Sequence, residues 1–293
     1  MAFRNVVNDG TKNPPRLRTQ YNMWAMLKLP RDGAEWTVEQ RLDKVAAAGF
    51  GGFESADEKT YVPEERARMI RDRGLEVGFA SHVTEPHEME LRIDMAKRMR
   101  ADYITAQVFG SLKSTSEIVD TLGRMYEMVN GAGLPFFIET HRGRVTQDLL
   151  RTLEVMEQMP QLRFTGDFSH YVVAGEMVGS WKLEVWGAFA LIAQRCGNFH
   201  GRIGFGEQVQ NDIGDGRGEM AQQFKKLWSI GMKHWLSSAR PGDVLPFCAE
   251  LGPPGYSIVD LNGREISDRW EQSLVVKRLI EEAFADAKKE LGR

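Results

Sequence analysis

From residue 19 onward the chain repeats one pattern eight times: a short apolar run, then a longer amphipathic stretch. The runs fall at 19–29, 49–55, 75–83, 101–110, 134–141, 162–170, 198–204 and 243–251. Each is short and apolar enough for a parallel strand buried on both faces. The stretches between them carry helix punctuation. Thr37 stands as an N-cap before Val38, Leu42, Val45 and Ala46 on one face, with Gly49 as the stop. Pro63 opens a helix that ends at Gly74, and Leu149, Leu153 and Met156 recur at helical spacing. Strand–helix alternation without a linker or low-complexity break predicts an α/β fold, a (β/α)8 TIM barrel of one domain over residues 1–293, with residues 1–18 as a polar N-terminal extension. A length of 293 residues suits such a barrel. Neither G-x-G-x-x-G after the first strand nor G-x-x-x-x-G-K-[ST] occurs, so nucleotide-phosphate folds lose support.

Composition narrows the partners. Net charge is -3, which supplies no global field for a phosphate backbone, so nucleic acid is not an expected partner. The N-terminus lacks the apolar core of a secretory signal and no run reaches the roughly 20 apolar residues of a membrane span, so the expected location is cytoplasmic, with no membrane contact. Cys196 and Cys248 lack zinc or redox spacing and read as reduced packing residues.

The chemistry concentrates at the ends of the last four runs. These end in Glu139, Asp167, His200 and Glu250. In a barrel of parallel strands those ends meet at one mouth, the face that carries active sites. Three carboxylates and one imidazole around a point suit a hard or borderline divalent cation, Mn²⁺ or Mg²⁺ before Co²⁺ or Zn²⁺. Taken singly, each could instead cap a helix or pair with an arginine. His141 lies two residues beyond Glu139 and so projects to the same side of an extended strand, while His170 follows Asp167 by three in the turn leaving its strand. Either histidine could bind substrate oxygens or carry protons. Glu54 and His82 end the second and third runs and add titratable groups around the mouth, Glu54 alternatively holding the His200 ring. Arg202 and Gln208, in the loop after the seventh run near Glu207 and Gln210, are candidate substrate contacts. Trp24 and Phe109 are candidates for an apolar wall or for core packing.

The segments FFIETHRGRVTQD, GDFSHY, FHGRIGFGEQVQND and AELGPPGY together resemble the xylose isomerase-like TIM barrel superfamily, in particular its sugar phosphate isomerase/epimerase branch. The resemblance extends over essentially the whole chain, with its specific motifs in the last four strands. It implies one divalent metal held by Glu139, Asp167, His200 and Glu250, a substrate-facing role for His170, and Glu139 and Glu250 as an acid–base pair. It also implies a small-molecule sugar substrate and proton abstraction next to a carbonyl through an enediolate, leading to isomerisation or epimerisation. His141, unligated beside the metal, would equally serve a lyase of the dehydratase or C-glycoside deglycosidase type. The superfamily's endonucleases form a third class, disfavoured by the charge and by only six histidines. A homo-oligomer and a small β-rich partner subunit both remain open. The late loop GFGEQVQNDIGDGRG offers glycines but few basic groups, which favours a substrate without phosphate.

Overall fold

The computed structural model describes residues 4–56 and 61–292. A two-residue strand β1 (Val7–Asn8) precedes eight parallel strands: β2 (Arg16–Asn22), β3 (Gly52–Ser55), β4 (Glu76–Val83), β5 (Ile104–Val108), β6 (Phe136–Glu139), β7 (Phe164–Gly166), β8 (Cys196–His200) and β9 (Asp243–Cys248). Strands β2 to β9 pair in chain order, and β9 pairs with both β8 and β2, closing the single-domain (β/α)8 barrel that the alternation predicts. Around it lie α1 (Val38–Ala47), α2 (Pro63–Arg71), α3 (Met89–Arg98), α4 (Thr115–Gly131), α5 (Leu149–Gln158), α6 (Ser169–Ala174), α7 (Leu183–Ala193), α8 (Glu219–Ser238) and α9 (Arg269–Glu290). No helix among the described residues is long and apolar enough to cross a membrane.

Local chemistry sets the helix starts. The Thr37 hydroxyl accepts from the Gln40 amide while the Gln40 side chain reaches back to the Thr37 amide, and Ser114 with Glu117 repeats the device ahead of α4. Asp148 and Asp268 cap α5 and α9. The helices bury one face each against the barrel. Leu42, Val45, Ile70, Leu122, Phe224, Trp228 and Ile280 are all 1% exposed or less, and each such side chain contributes about 1.5–3 kcal/mol.

Three details depart from the sequence reading. The first barrel strand runs Arg16–Asn22, and residues Trp24–Met26 form a 3-10 turn instead of continuing the strand to Leu29. The N-terminal segment is not a free extension over its described part. β8 pairs with β9 only at Phe247 and Cys248, and β1 takes the edge left at Asp243 and Val244. Arg4 and Asn8 bond the Asp243 carboxylate, and Asn5 exchanges two hydrogen bonds with the Phe136 backbone. Val7 then packs with Tyr103, Phe137 and Val244, closing the barrel floor. Finally, Cys196 and Gly197 belong to β8, not to the preceding helix, and both cysteines are buried thiols.

Above that floor the barrel interior is polar. Tyr103 donates to Glu54 at 2.7 Å and pairs with Gln20, Thr105 meets Thr165 at 2.6 Å, and Asn198 bonds Thr165 at 3.1 Å. Such partners offset the cost of burying these polar groups. The phenol fits because Gly78 on β4 has no side chain: a Cβ there would collide with the Tyr103 hydroxyl.

Candidate active site

Each of the four candidate ligands sits where its strand stops. Glu139 and His200 are the last residues of β6 and β8, Asp167 directly follows β7, and Glu250 lies two residues past β9. All are buried, at 3%, 1%, 0% and 7% exposure respectively. Oxygens of Glu139, Asp167 and Glu250 come within 4.8 Å of one another. His200 Nδ1 faces the same point, 3.1 Å from Glu250 and 3.7 Å from Glu139. Both ring nitrogens of His200 lack a hydrogen bond of good geometry although they are buried. A buried imidazole with one nitrogen facing Glu250 and Glu139, beside a cluster of three carboxylates, supplies the donor set of a hard divalent cation. The residues present therefore fit such an ion.

Neighbouring groups orient each ligand. The Ser169 hydroxyl and amide both donate to Asp167 Oδ1, leaving Oδ2 toward the centre. The Thr140 hydroxyl accepts from the Asp167 amide and donates to its carbonyl, tying β6 to β7. Asn22 donates to Glu250 at 2.5 Å, and Gln107 donates to Glu139 at 3.1 Å. Glu54 lies 3.0 Å from His200 Nε2, comes within 4.8 Å of Glu250, and accepts from Tyr103. From there it contacts the imidazole and also lines the cavity wall.

Arg202 joins the centre as an ion-pair partner. Its guanidinium donates to Asp167 at 3.1 Å, to Glu250 at 2.6 Å and to Gln210 at 3.3 Å, and it lies 4.7 Å from the Tyr256 ring centroid. Gln208 is not brought to the site. Its backbone closes a tight turn with Phe205, its side chain does not reach the cavity wall, and the inward glutamine of this loop is Gln210. The alternation of the loop places 208 and 210 in different settings, which polarity alone could not distinguish.

His141 and His170 stack with ring centroids 3.7 Å apart. His141 Nδ1 lies 2.6 Å from the Arg142 carbonyl, so that nitrogen carries the proton and Nε2 faces the Tyr256 hydroxyl at 3.2 Å. His170 Nε2 lies 3.5 Å from Asp167. A cavity of about 360 Å³ opens above the centre, with His82, His141, Trp24 and Tyr256 on its walls. Trp24 meets Tyr256 edge to face at 4.9 Å and so belongs to the wall, whereas Phe109 lies behind it under Arg144. Asn22, Gln107, Arg144 and Tyr256 were not anticipated as site residues. Gln107 alone carried a signal, being the one polar side chain late in the run ITAQV.

Electrostatics separates the two glutamates. Burial pushes Glu139 up to about 7, against the opposing pull of His200. Glu250 is equally subject to burial, yet His200, Arg202 and the Asn22 hydrogen bond hold it down to about 2. Burial raises Asp167, partly offset by Arg202. Burial disfavours the charged His200, but Glu250, Glu54 and Glu139 outweigh it and raise its pKa well above the ordinary value. Burial lowers His141 to about 3 and His170 further below its usual range.

No family model and no curated protein matches the sequence. Solved structures do match in fold. An L-ribulose 3-epimerase has a TM-score of 0.62 at 14% identity over 94% of this chain and 97% of that one. A D-allulose 3-epimerase from Methylomonas sp. has 0.61 at 13% identity over 97% and 100%. A xylose isomerase domain protein from Planctomyces limnophilus has 0.56 at 13% identity over 96% and 99%. Structures of a probable 3-DHS dehydratase from Bacillus anthracis and of an AP endonuclease, family 2, from Brucella melitensis also match. These likenesses show that the chain shares the (β/α)8 barrel fold of these structures.

Proposed function

We propose that this protein is a metal-dependent isomerase or epimerase that removes a proton next to the carbonyl of a small polyhydroxylated ketone, through an enediolate. The observation that carries the reading is the convergence of Glu139, Asp167, His200 and Glu250 beneath a cavity of sugar size. These four would hold one divalent cation, Mn²⁺ or Mg²⁺ by donor type with Co²⁺ and Zn²⁺ as alternatives. The cation supplies Lewis acidity toward the carbonyl and its neighbouring hydroxyl. The presence of epimerases among the proteins of similar fold supports this reading.

The chain's own groups divide the proton work. Glu139 lines the cavity at the end of β6, with one oxygen fixed by Gln107, and on that placement the exchange is assigned to it. Glu250, held down to about 2, stays anionic and anchors Arg202. Pairs of carboxyls driven apart in this way mark an acid–base division of labour. Gln107 donates to one Glu139 oxygen and so orients it, and Trp24 and Tyr256 form an aromatic part of the cavity wall.

A lyase is the second reading, because His141 Nε2 offers a base that ligates nothing in the four-residue set. In either case the substrate is a small molecule, the expected location is cytoplasmic, and a second copy or a partner chain is not required to complete the four-ligand set. The test is proton exchange by NMR in D₂O with metal-reconstituted protein and a panel of ketoses. Deuterium entering the position next to the carbonyl supports the reading. Release of water or another leaving group without such exchange would favour the lyase.

A further inference from the structure

Beside Glu139 the cavity wall holds a cation that the four-ligand centre does not use. Arg144 lies in the loop after β6, half-buried, with its guanidinium on the cavity wall. Its Nε and one terminal nitrogen both donate to Gln107 Oε1, at 3.1 and 2.9 Å, and the other terminal nitrogen donates to the Gly143 carbonyl at 3.2 Å. Its central carbon lies 3.9 Å from the Phe109 ring centroid. The planar group is therefore fixed in orientation before any ligand arrives. A guanidinium carries five N–H donors, and three are used here. Among the described residues, none of its hydrogen bonds goes to a carboxylate.

Gln107 connects this cation to the centre, accepting from Arg144 and donating to Glu139. The cation thus stands one side chain away from the carboxyl assigned to proton exchange. His82, on the same wall, is exposed to the field of Arg144, and its pKa is lowered by burial and then by that charge. Burial disfavours the Arg144 charge and the nearby Glu139 carboxylate favours it, while its two unused donors leave room for a negative ligand that enters the cavity. One fixed guanidinium with two free donors suits a singly charged, planar group.

We propose that the substrate of this site bears a carboxylate, as a sugar acid or other hydroxylated keto acid, and that Arg144 binds it. This rests on the reading of the pocket as a sugar site and replaces a neutral ketose by an acidic one. Phe109 is then a stacking support for Arg144, and Arg144 sets specificity through charge while Gln107 positions both it and Glu139.

Titration calorimetry with unreactive probes of one carbon skeleton tests the assignment: D-gluconate, D-glucitol and D-glucitol 6-phosphate, against metal-reconstituted wild type, Arg144→Gln and Arg144→Lys. The expected result is gluconate binding about tenfold or more tighter than glucitol in the wild type, as for one charge-assisted pair. The gap should close in Arg144→Gln and partly return in Arg144→Lys, with metal content and unfolding temperature unchanged in both. Equal binding of gluconate and glucitol, or a gluconate preference that survives in Arg144→Gln, overturns the proposal. A phosphate probe that outbinds gluconate, with its advantage lost in Arg144→Gln, overturns the carboxylate in favour of a phosphorylated ligand. Failure here is separable from failure of the chemistry. Metal binding and exchange on neutral ketoses with no gluconate preference would remove only the carboxylate, while an Arg144-dependent preference without any metal would remove only the proton abstraction.

Discussion

At the scale of single residues, the centre is a balance of buried charges, and Arg202 carries much of it. It compensates Asp167 and Glu250 together, at 3.1 and 2.6 Å. Arg202→Met should therefore cost about 3–5 kcal/mol in metal-stripped protein, since it leaves two buried carboxylates short of a partner. Added Mn²⁺ should restore more stability to the variant than to the wild type, because a cation between those carboxylates supplies the missing charge. Urea midpoints with and without metal check both statements; an equal metal effect in the two proteins would contradict the assignment. His141→Gln should keep the metal and lower proton exchange by about 10–100-fold, the loss expected of a group that orients substrate beside the exchanging carboxyl. Undiminished exchange would remove His141 from the site's chemistry, and a loss of about four orders of magnitude would transfer the base to it. What the sequence revealed at this scale was the set of charged strand ends. Asn22 and Tyr256 stayed hidden because their roles come from strands or loops distant along the chain, as in the bond from Asn22 to Glu250.

At the scale of elements, strand and helix periodicity was legible because caps and turn glycines are local signals. Thr37 and Pro63 start their helices where their chemistry requires. Pairing partners were not legible. Nothing local in Val7 or Asn8 announces that they fill the edge of β9 which β8 leaves open. Asp243 fastens that contact: burial opposes its ionisation, but bonds from Arg4, Asn8 and the Arg240 amide lower its pKa below the ordinary value. A lowered carboxylate contributes stability above its unfolded pKa of about 4, and that contribution is lost as pH falls through the folded value. Asp243→Asn should accordingly flatten the acid limb of the stability profile below about pH 4. An unchanged acid limb in urea titrations would show that the segment is held by other contacts. Within the barrel, Gly78→Ala should cost about 1–3 kcal/mol by displacing Tyr103, which also supports Glu54 beside His200. Loss of stability without any loss of metal affinity would mean that the support of His200 does not pass through Tyr103.

At the scale of the whole molecule, barrel closure turns four separated strand ends into one site. Residues from 139 to 250 along the chain meet because β6 to β9 are neighbours in a closed sheet, and their ligand groups all leave the same end. That much could be argued from the alternation of runs and the residue types that finish them. The cavity's charge could not, because Arg144 reads as an ordinary loop arginine until Phe109 and Gln107 are folded against it. The account rests on convergence of Glu139, Asp167, His200 and Glu250 upon one cation. Elemental analysis of the purified, metal-reconstituted protein beside its His200→Ala variant tests this most directly. The prediction is about one divalent ion per chain in the wild type and loss of it in a variant that remains folded. No metal in the wild type after reconstitution, or undiminished occupancy in the variant, would contradict it.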